Sequence, residues 1–214
     1  MADKIATREA YGDALVEFAD QYDFIVMDAD LAEATKTVKF KKAHPERFFD
    51  CGIAEGNMMS VAAGVATTGK TVFASSFAMF AAGRAFEQVR NSICYPNLNV
   101  KVCATHAGVS VGEDGATHQA LEDVAIMRAL PNMTVISPCD AVETRAAIKA
   151  AIDNYGPFYV RLGRLAVEEI NDADTYKFEL GKGVTLKEGT DVTLIATGLM
   201  VGEALEAQKI LAEE

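Results

Sequence analysis

The chain has 214 residues, half of them apolar and only five proline, a composition that excludes a disordered protein and allows one full core with residues to spare. A formal net charge of −11 excludes generic nucleic-acid binding, because neutralising phosphates needs a clustered basic surface that the sequence lacks. No apolar run approaches the ~20 residues of a membrane span, and the N-terminus lacks the basic-then-apolar layout of a secretory signal, so a cytoplasmic location without a membrane partner is expected.

In chain order, periodicity predicts a helix over 7–21, capped by Thr7 and with Tyr11, Leu15 and Phe18 on one face, and a short buried strand over 24–27. A polar loop starts at Asp28. A short strand at Phe48 and Phe49 leads through Gly52 to Glu55 and a small-residue helix over 57–68. The alternation continues with a strand over 71–75, a helix over 77–93, a strand over 100–105, a glycine-rich loop over 107–115 and a helix over 121–129. A strand over 134–136, a helix over 141–154 and a strand over 158–160 complete the series. Apolar strands alternating with helices imply an α/β fold, a doubly wound and mostly parallel sheet with helices on both faces. Ligands in such sheets sit at the carboxyl ends of the strands, where the loops starting at Asp28, Gly52, Ser75, Thr105 and Gly163 would gather.

This first domain is expected to span 1–166 and to be followed by a polar linker over 167–190 with a turn-rich stretch at Asn171 to Asp174. A strand over 192–196 and an amphipathic helix over 200–212 read as the opening of a second α/β domain, 191–214, that the sequence does not finish, since one strand and one helix cannot bury a core. The chain is therefore expected to be part of a longer protein. Cys51, Cys94, Cys103 and Cys139 show no metal-binding or CxxC spacing and read as reduced, buried small hydrophobes.

Several residues have both a structural and a chemical reading. Between Val111 and His118, glycines would let backbone approach a ligand while Glu113, Asp114, Thr117 and His118 offer acid, base and hydrogen bonds; an ordinary surface loop fits equally well. His106 ends a predicted strand twelve positions before His118, and a lone histidine is by default a packing or capping residue. Glu55 opens a helix, where an acid complements the helix dipole, yet Cys51, Ile53, Ala54, Met58 and Met59 would desolvate it. Phe77 and Phe80, three apart on a predicted helix, first read as a core face, and Arg84, Glu87 and Arg90 on that helix as exposed intrahelical pairs.

Together, Phe49-Asp-Cys-Gly-Ile-Ala-Glu55-Gly-Asn-Met-Met, Phe77-Ala-Met-Phe80-Ala-Ala-Gly-Arg-Ala-Phe-Glu-Gln-Val-Arg90 and Thr105-His-Ala-Gly-Val-Ser-Val-Gly-Glu-Asp-Gly-Ala-Thr-His-Gln119 resemble the pyrimidine-binding domain of transketolases, most closely the C-terminal subunit of split, two-gene transketolases. The resemblance runs from about residue 4 to the end of the chain. It implies a thiamine diphosphate enzyme that moves a two-carbon ketol unit between phosphorylated sugars of the pentose phosphate pathway. By the resemblance, Glu55 hydrogen-bonds N1′ of the aminopyrimidine and so activates the cofactor, Phe77 and Phe80 line that ring, and Asp30 lies close to the cofactor at a subunit interface. His118 would touch substrate oxygens near the reacting carbon, Asp114 would read a sugar hydroxyl, and Arg8, His106 and Arg164 would hold the phosphate, with Arg161 near enough to substitute. Ala34 stands where the family has a phosphate-contacting serine, so either Thr35 supplies the hydroxyl or the contact is missing.

The Gly-Asp-Gly motif with a downstream Asn, which in such enzymes holds the diphosphate through Mg2+ or Ca2+, is absent. The resemblance therefore implies no metal ligand in this chain. It implies an N-terminal transketolase subunit that brings the metal, and a homodimer within a heterotetramer with active sites between subunits. A 1-deoxyxylulose-5-phosphate synthase would read Asp-Arg-Ala-Gly where this chain has Thr105-His106-Ala107-Gly108. The β-subunit of a 2-oxo-acid dehydrogenase is more remote, and a non-catalytic docking half is the alternative of a different class.

Overall fold

In the computed structural model, which describes residues 4–213, a two-residue strand β1 (Ile5–Ala6) runs directly into helix α1 (Thr7–Ala19). Residues 1–3 and Glu214, which the expected domain spans include, lie outside the described residues. Strand β2 (Phe24–Asp28) is followed by short helices α2 (Ala32–Thr35) and α3 (Val38–Ala43), then strand β3 (Phe48–Asp50), helix α4 (Glu55–Ala66) and strand β4 (Thr71–Phe77). A π-helical turn, Met79–Arg84, the short helix α5 (Phe86–Gln88) and a second π-helical turn, Val89–Cys94, lead to strand β5 (Val100–Thr105). After two single 3-10 turns come helix α6 (Asp123–Arg128), strand β6 (Thr134–Ile136), helix α7 (Ala141–Asp153), strand β7 (Phe158–Arg161) and strand β8 (Ala166–Val167), and the last helix is α8 (Met200–Leu211).

Six strands form one sheet in the order β3-β2-β4-β5-β7-β6, every pair parallel, so the expected doubly wound α/β sheet is present. Strand alternation sends side chains to two separate cores. Val72, Ala74, Val100, Val102 and Ala104 join Met58, Met59 and Ala62 of α4 and Val89 and Ile93 of the second π turn. Phe73 and Cys103 face the other way, with Tyr11, Leu15 and Phe18 of α1 and Ala147, Ile148 and Ala151 of α7. Each fully buried aliphatic or aromatic side chain contributes about 1.5–3 kcal/mol, which is why both faces must be covered. Because all six strands point the same way, Asp28, Asp50, Phe77, Thr105, Ile136 and Arg161 end at one edge.

The structure corrects several expectations. Thr7 is not the cap of α1: Ala6 holds that position, and the Thr7 hydroxyl instead accepts a hydrogen bond from the Gly163 N–H at 2.8 Å. Antiparallel pairing of β1 with β8 starts the helix at once. Phe77 belongs to β4, because its pairing with Thr105 extends the ladder two residues beyond the predicted strand. The predicted helix over 77–93 is a broken one in which Ala85 N–H bonds to the Phe80 carbonyl and Tyr95 N–H to the Arg90 carbonyl, the five-residue spacing of π turns. No strand forms over 192–196: among the described residues this stretch has no ladder partner, and Ile195 is 92% exposed. Every residue of α8 stays at least partly exposed. Among the described residues no helix is long and apolar enough to cross a membrane. Cys94, Cys103 and Cys139 are buried as expected, whereas Cys51 is half-buried at the carboxyl edge.

Candidate active site

The carboxyl edge is organised from a buried acid upward. Asp28, the last residue of β2, is fully buried, and its carboxylate accepts from the Thr35 hydroxyl at 2.7 Å, the Thr37 hydroxyl at 2.8 Å and the Leu31 N–H at 2.7 Å. Burial pushes its pKa up to about 6 against those three donors. The arrangement fixes the 31–37 segment, and the Ala34 carbonyl of that segment accepts from Arg8 Nη1 at 2.8 Å. It also answers the question of the missing serine. Thr35 is buried with its hydroxyl committed to Asp28 and Thr37, so it does not offer that hydroxyl to a ligand.

From Arg8 a row of side chains crosses the edge. Arg8 Nη1 lies 3.4 Å from His106 Nε2, and His106 Nδ1 lies 2.9 Å from the Thr105 hydroxyl. Since arginine can only donate, Nε2 accepts and the ring proton sits on Nδ1. His106 is 3% exposed and takes a left-handed backbone (φ 57°). Burial, reinforced by the charges of Arg8 and Arg164, pushes its pKa down to about 4, so at neutral pH it is an uncharged ring. The positive charge of this corner therefore belongs to the two arginines. Burial, with a smaller contribution from the Arg164 charge, lowers the Arg8 pKa from its ordinary value.

His106 stacks on Phe77 with centroids 3.9 Å apart, and Phe77 lies parallel to Phe80 at 6.1 Å with an 11° interplanar angle. His118 stands edge-on to both rings, 5.1 Å from Phe80 and 6.3 Å from Phe77, with its Nδ1 on the Thr117 hydroxyl. Beyond Phe80, the Arg84 guanidinium covers the ring at 4.7 Å and its Nη1 donates to Glu55 Oε2 at 3.2 Å. Glu55, the first residue of α4, is 2% exposed. Glu55, Arg84, Phe80, Phe77, His118, His106 and Arg8 thus form one continuous row.

The other predicted residues stand around it. Arg164 packs against Gly112, which takes a φ of +91° and leaves room that a Cβ would fill to within 2.5 Å of Nη1. Arg164 is also 3.7 Å from Glu113, an exposed pair of little energetic weight. Asp114 is exposed in the same loop, close enough to His106 to oppose the downward shift of its pKa. Asp30 is apart from the row. It is exposed, left-handed (φ 62°), tied through its N–H to Asp50, and lines an open cleft of about 300 Å3 with Glu33, Ala34, Lys41 and Asp50. Arg161, near enough in sequence to substitute for Arg164, is anchored through its Nε to the buried Asp123 carboxylate at 2.8 Å.

Two residues of the edge escaped the sequence reading. Arg84 is no intrahelical pair, although its spacing of four from Phe80 was a usable signal for a shared face; Arg90 does pair with Glu87, at 3.5 Å. Asp28 gave no local signal, because its threonine partners lie beyond a loop.

The family model for the transketolase pyrimidine-binding domain matches residues 3–169, and that for the transketolase C-terminal domain matches residues 181–214. This chain belongs to the transketolase family. It is 54% identical over 208 residues to a Methanocaldococcus jannaschii protein named as a transketolase C-terminal section, covering 96% of this chain and 66% of that one. It is 45% identical over 206 residues to a Clostridium protein named 6-deoxy-6-sulfo-D-fructose transketolase subunit SqwH, covering 96% of this chain and 64% of that one. A solved structure described as a split-gene transketolase, an inactive β4 tetramer, superposes with a TM-score of 0.90 at 58% identity, over 99% of this chain and 69% of that one. The chain thus spans about two thirds of the length of these three relatives.

Transketolases are transferases that depend on thiamine diphosphate. The residues here fit the aminopyrimidine end of that group. A flat apolar platform, Phe77 and Phe80, adjoins a buried carboxylate whose Oε1 has no hydrogen-bond partner among the described residues. The diphosphate end needs a metal, and among the described residues no group of three or more His, Cys, Asp or Glu side chains comes together that could hold one.

Proposed function

We propose that this chain is the pyrimidine-domain subunit of a thiamine diphosphate-dependent transketolase that moves a two-carbon ketol unit between phosphorylated sugars. In this reading residues 1–166 are the pyrimidine-binding domain, 167–190 a linker and 191–214 the beginning of the transketolase C-terminal domain. An N-terminal subunit would bring the diphosphate site with its Mg2+ or Ca2+, in an assembly holding at least two copies of each chain. The observation that carries the reading is the unbroken row from buried Glu55, across Phe80 and Phe77, to the cations at Arg8 and Arg164. An acid at one end and an anion-binding corner at the other match a substrate that reacts at one end and carries phosphate at the other.

When bound, thiamine diphosphate supplies the nucleophilic carbon that a ketol transfer needs. Glu55, 2% exposed, would share a proton with the ring nitrogen. Phe77 and Phe80 hold the ring by stacking, and Asp30 borders the cofactor from the neighbouring cleft. His118, edge-on to the aromatic pair, presents a donor to substrate oxygens, and Asp114 accepts from a sugar hydroxyl. Arg8 and Arg164 neutralise the substrate's anion, and uncharged His106 lies beside them with its Nε2 accepting from Arg8. The family's serine contact is missing, since Ala34 has no hydroxyl and that of Thr35 is committed elsewhere.

The test mixes the chain, completed to the length of its relatives, with the N-terminal subunit, thiamine diphosphate and magnesium. Ketol transfer from xylulose 5-phosphate to ribose 5-phosphate is expected in the mixture and absent from either half alone. Condensation of pyruvate with glyceraldehyde 3-phosphate would overturn the assignment. Glu55→Gln should leave assembly intact and lower turnover by at least about a hundredfold. Because the Clostridium relative is named for a sulfonated sugar, 6-deoxy-6-sulfofructose serves as a second donor that asks whether the arginine corner takes sulfonate as well as phosphate.

A further inference from the structure

Arg84 occupies a position that the proposed reaction does not yet explain. Its side chain is 55% exposed, whereas the carboxylate it bonds belongs to a residue 2% exposed. A free surface arginine gains little from one such pair, because two long side chains must be held in one geometry. Here the geometry is imposed from two sides. The guanidinium carbon lies over the Phe80 ring, 4.7 Å from its centroid, while Nη1 reaches Glu55 Oε2 at 3.2 Å. The π turn Met79–Arg84, closed by the Ala85 N–H on the Phe80 carbonyl, carries both Phe80 and Arg84 and so ties the aromatic platform and the guanidinium to one rigid piece of backbone.

Resting on the assignment of Glu55 to ring N1′, we propose that Arg84 is a positioning residue that engages one carboxylate oxygen of Glu55 and thereby aims the other at N1′ of the cofactor. Only an arginine does this well. Its planar fork bonds the acid edge-on while stacking on the ring, whereas lysine offers a point charge with no face to stack. Arg84 acts through Glu55 and is not itself placed on the reacting atoms.

The experiment measures cofactor binding by calorimetry in the two-subunit complex, using thiamine diphosphate and its analogue with N1′ replaced by carbon. Wild type should bind the natural cofactor more tightly than the analogue. R84M should weaken thiamine diphosphate by about tenfold and leave the analogue unchanged, because only the contact to N1′ is disturbed. R84K should recover part of the loss. In an E55Q background R84M should have no further effect. Equal weakening of both ligands by R84M, or an undiminished effect in the E55Q background, would overturn the proposal and leave Arg84 a structural clamp on Phe80. A wild type that does not distinguish the two ligands would instead remove the Glu55 assignment and this inference with it. Circular dichroism of each variant complex checks folding, and R84Q repeats the comparison should R84M fail to assemble.

Discussion

Lys101 lies wholly inside the sheet, with its ammonium on the Asn154 and Gly156 carbonyls, each at 2.8 Å, and 4.2 Å from the Phe158 ring centroid. Burial lowers its pKa from 10.5 to about 7. Above about 7 the unfolded chain holds a proton that the folded chain lacks, so stability should rise with pH through this window. Near pH 9 the sign is opposed, because the buried Cys94 and Cys103 thiols, pushed up from 9.0 to about 11 and about 12, keep protons that the unfolded chain releases. K101M should flatten the rise between about pH 7 and 9, as read from urea midpoints at successive pH values. A slope equal to that of wild type would place the titration on another group. Glu55, Phe77, Phe80, His106 and Arg8 fall in one row, while Thr35, offered for ligand duty, has its hydroxyl committed inward and Arg161 has its Nε on Asp123. An inward hydroxyl and an outward one are spelled alike in a sequence.

At the scale of elements, the 31–37 segment is held less by its own helix propensity than by Asp28. Helix α2 has four residues and no side-chain cap, too short to persist alone. D28A would leave the Thr35 and Thr37 hydroxyls and the Leu31 N–H without their shared acceptor, a loss of about 2–3 kcal/mol. It should also free the Ala34 carbonyl from its place beside Arg8. The expected readout is a lower denaturant midpoint together with faster amide exchange confined to 31–37. Unchanged exchange there would show the segment to be self-supporting. The broken helix after β4 was legible only as a helix, because π turns bury the same alanine-rich faces as an α-helix: Ala81, Ala82, Ala85, Val89 and Ile93 are all buried. What the widened turn adds is the placement of Arg84 over Phe80, which no hydropathy pattern encodes.

Over the whole molecule, the parallel sheet and the segment after Asn171 should behave differently. The Asp140 carboxylate takes the N–H groups of Ile170 and Asn171 and so anchors the start of the linker to α7. Farther on, Val192, Leu194 and Ile195 are exposed and unladdered. Backbone amides over 192–196 should exchange at least about a hundredfold faster than those of β5, whose residues are all buried. Comparable protection in the isolated chain would mean that a second copy or another segment covers them. A chain of the same length as the relatives is expected to show that protection, since a strand acquires it only with a neighbour to pair with.

Local patterning sufficed for the α/β class, the six strands of the parallel sheet and the loops that meet at the carboxyl edge, because periods of two and 3.6 and short motifs are local properties. Tertiary structure alone decided the pairings. Arg84 meets Glu55 across 29 positions, Arg161 meets Asp123 across 38, and Arg8 meets His106 across 98. Those encounters follow from strand order, from the register that keeps Phe77 in β4 and from the π turn after it. Each depends on where the rest of the chain lies, and no window of sequence contains both partners.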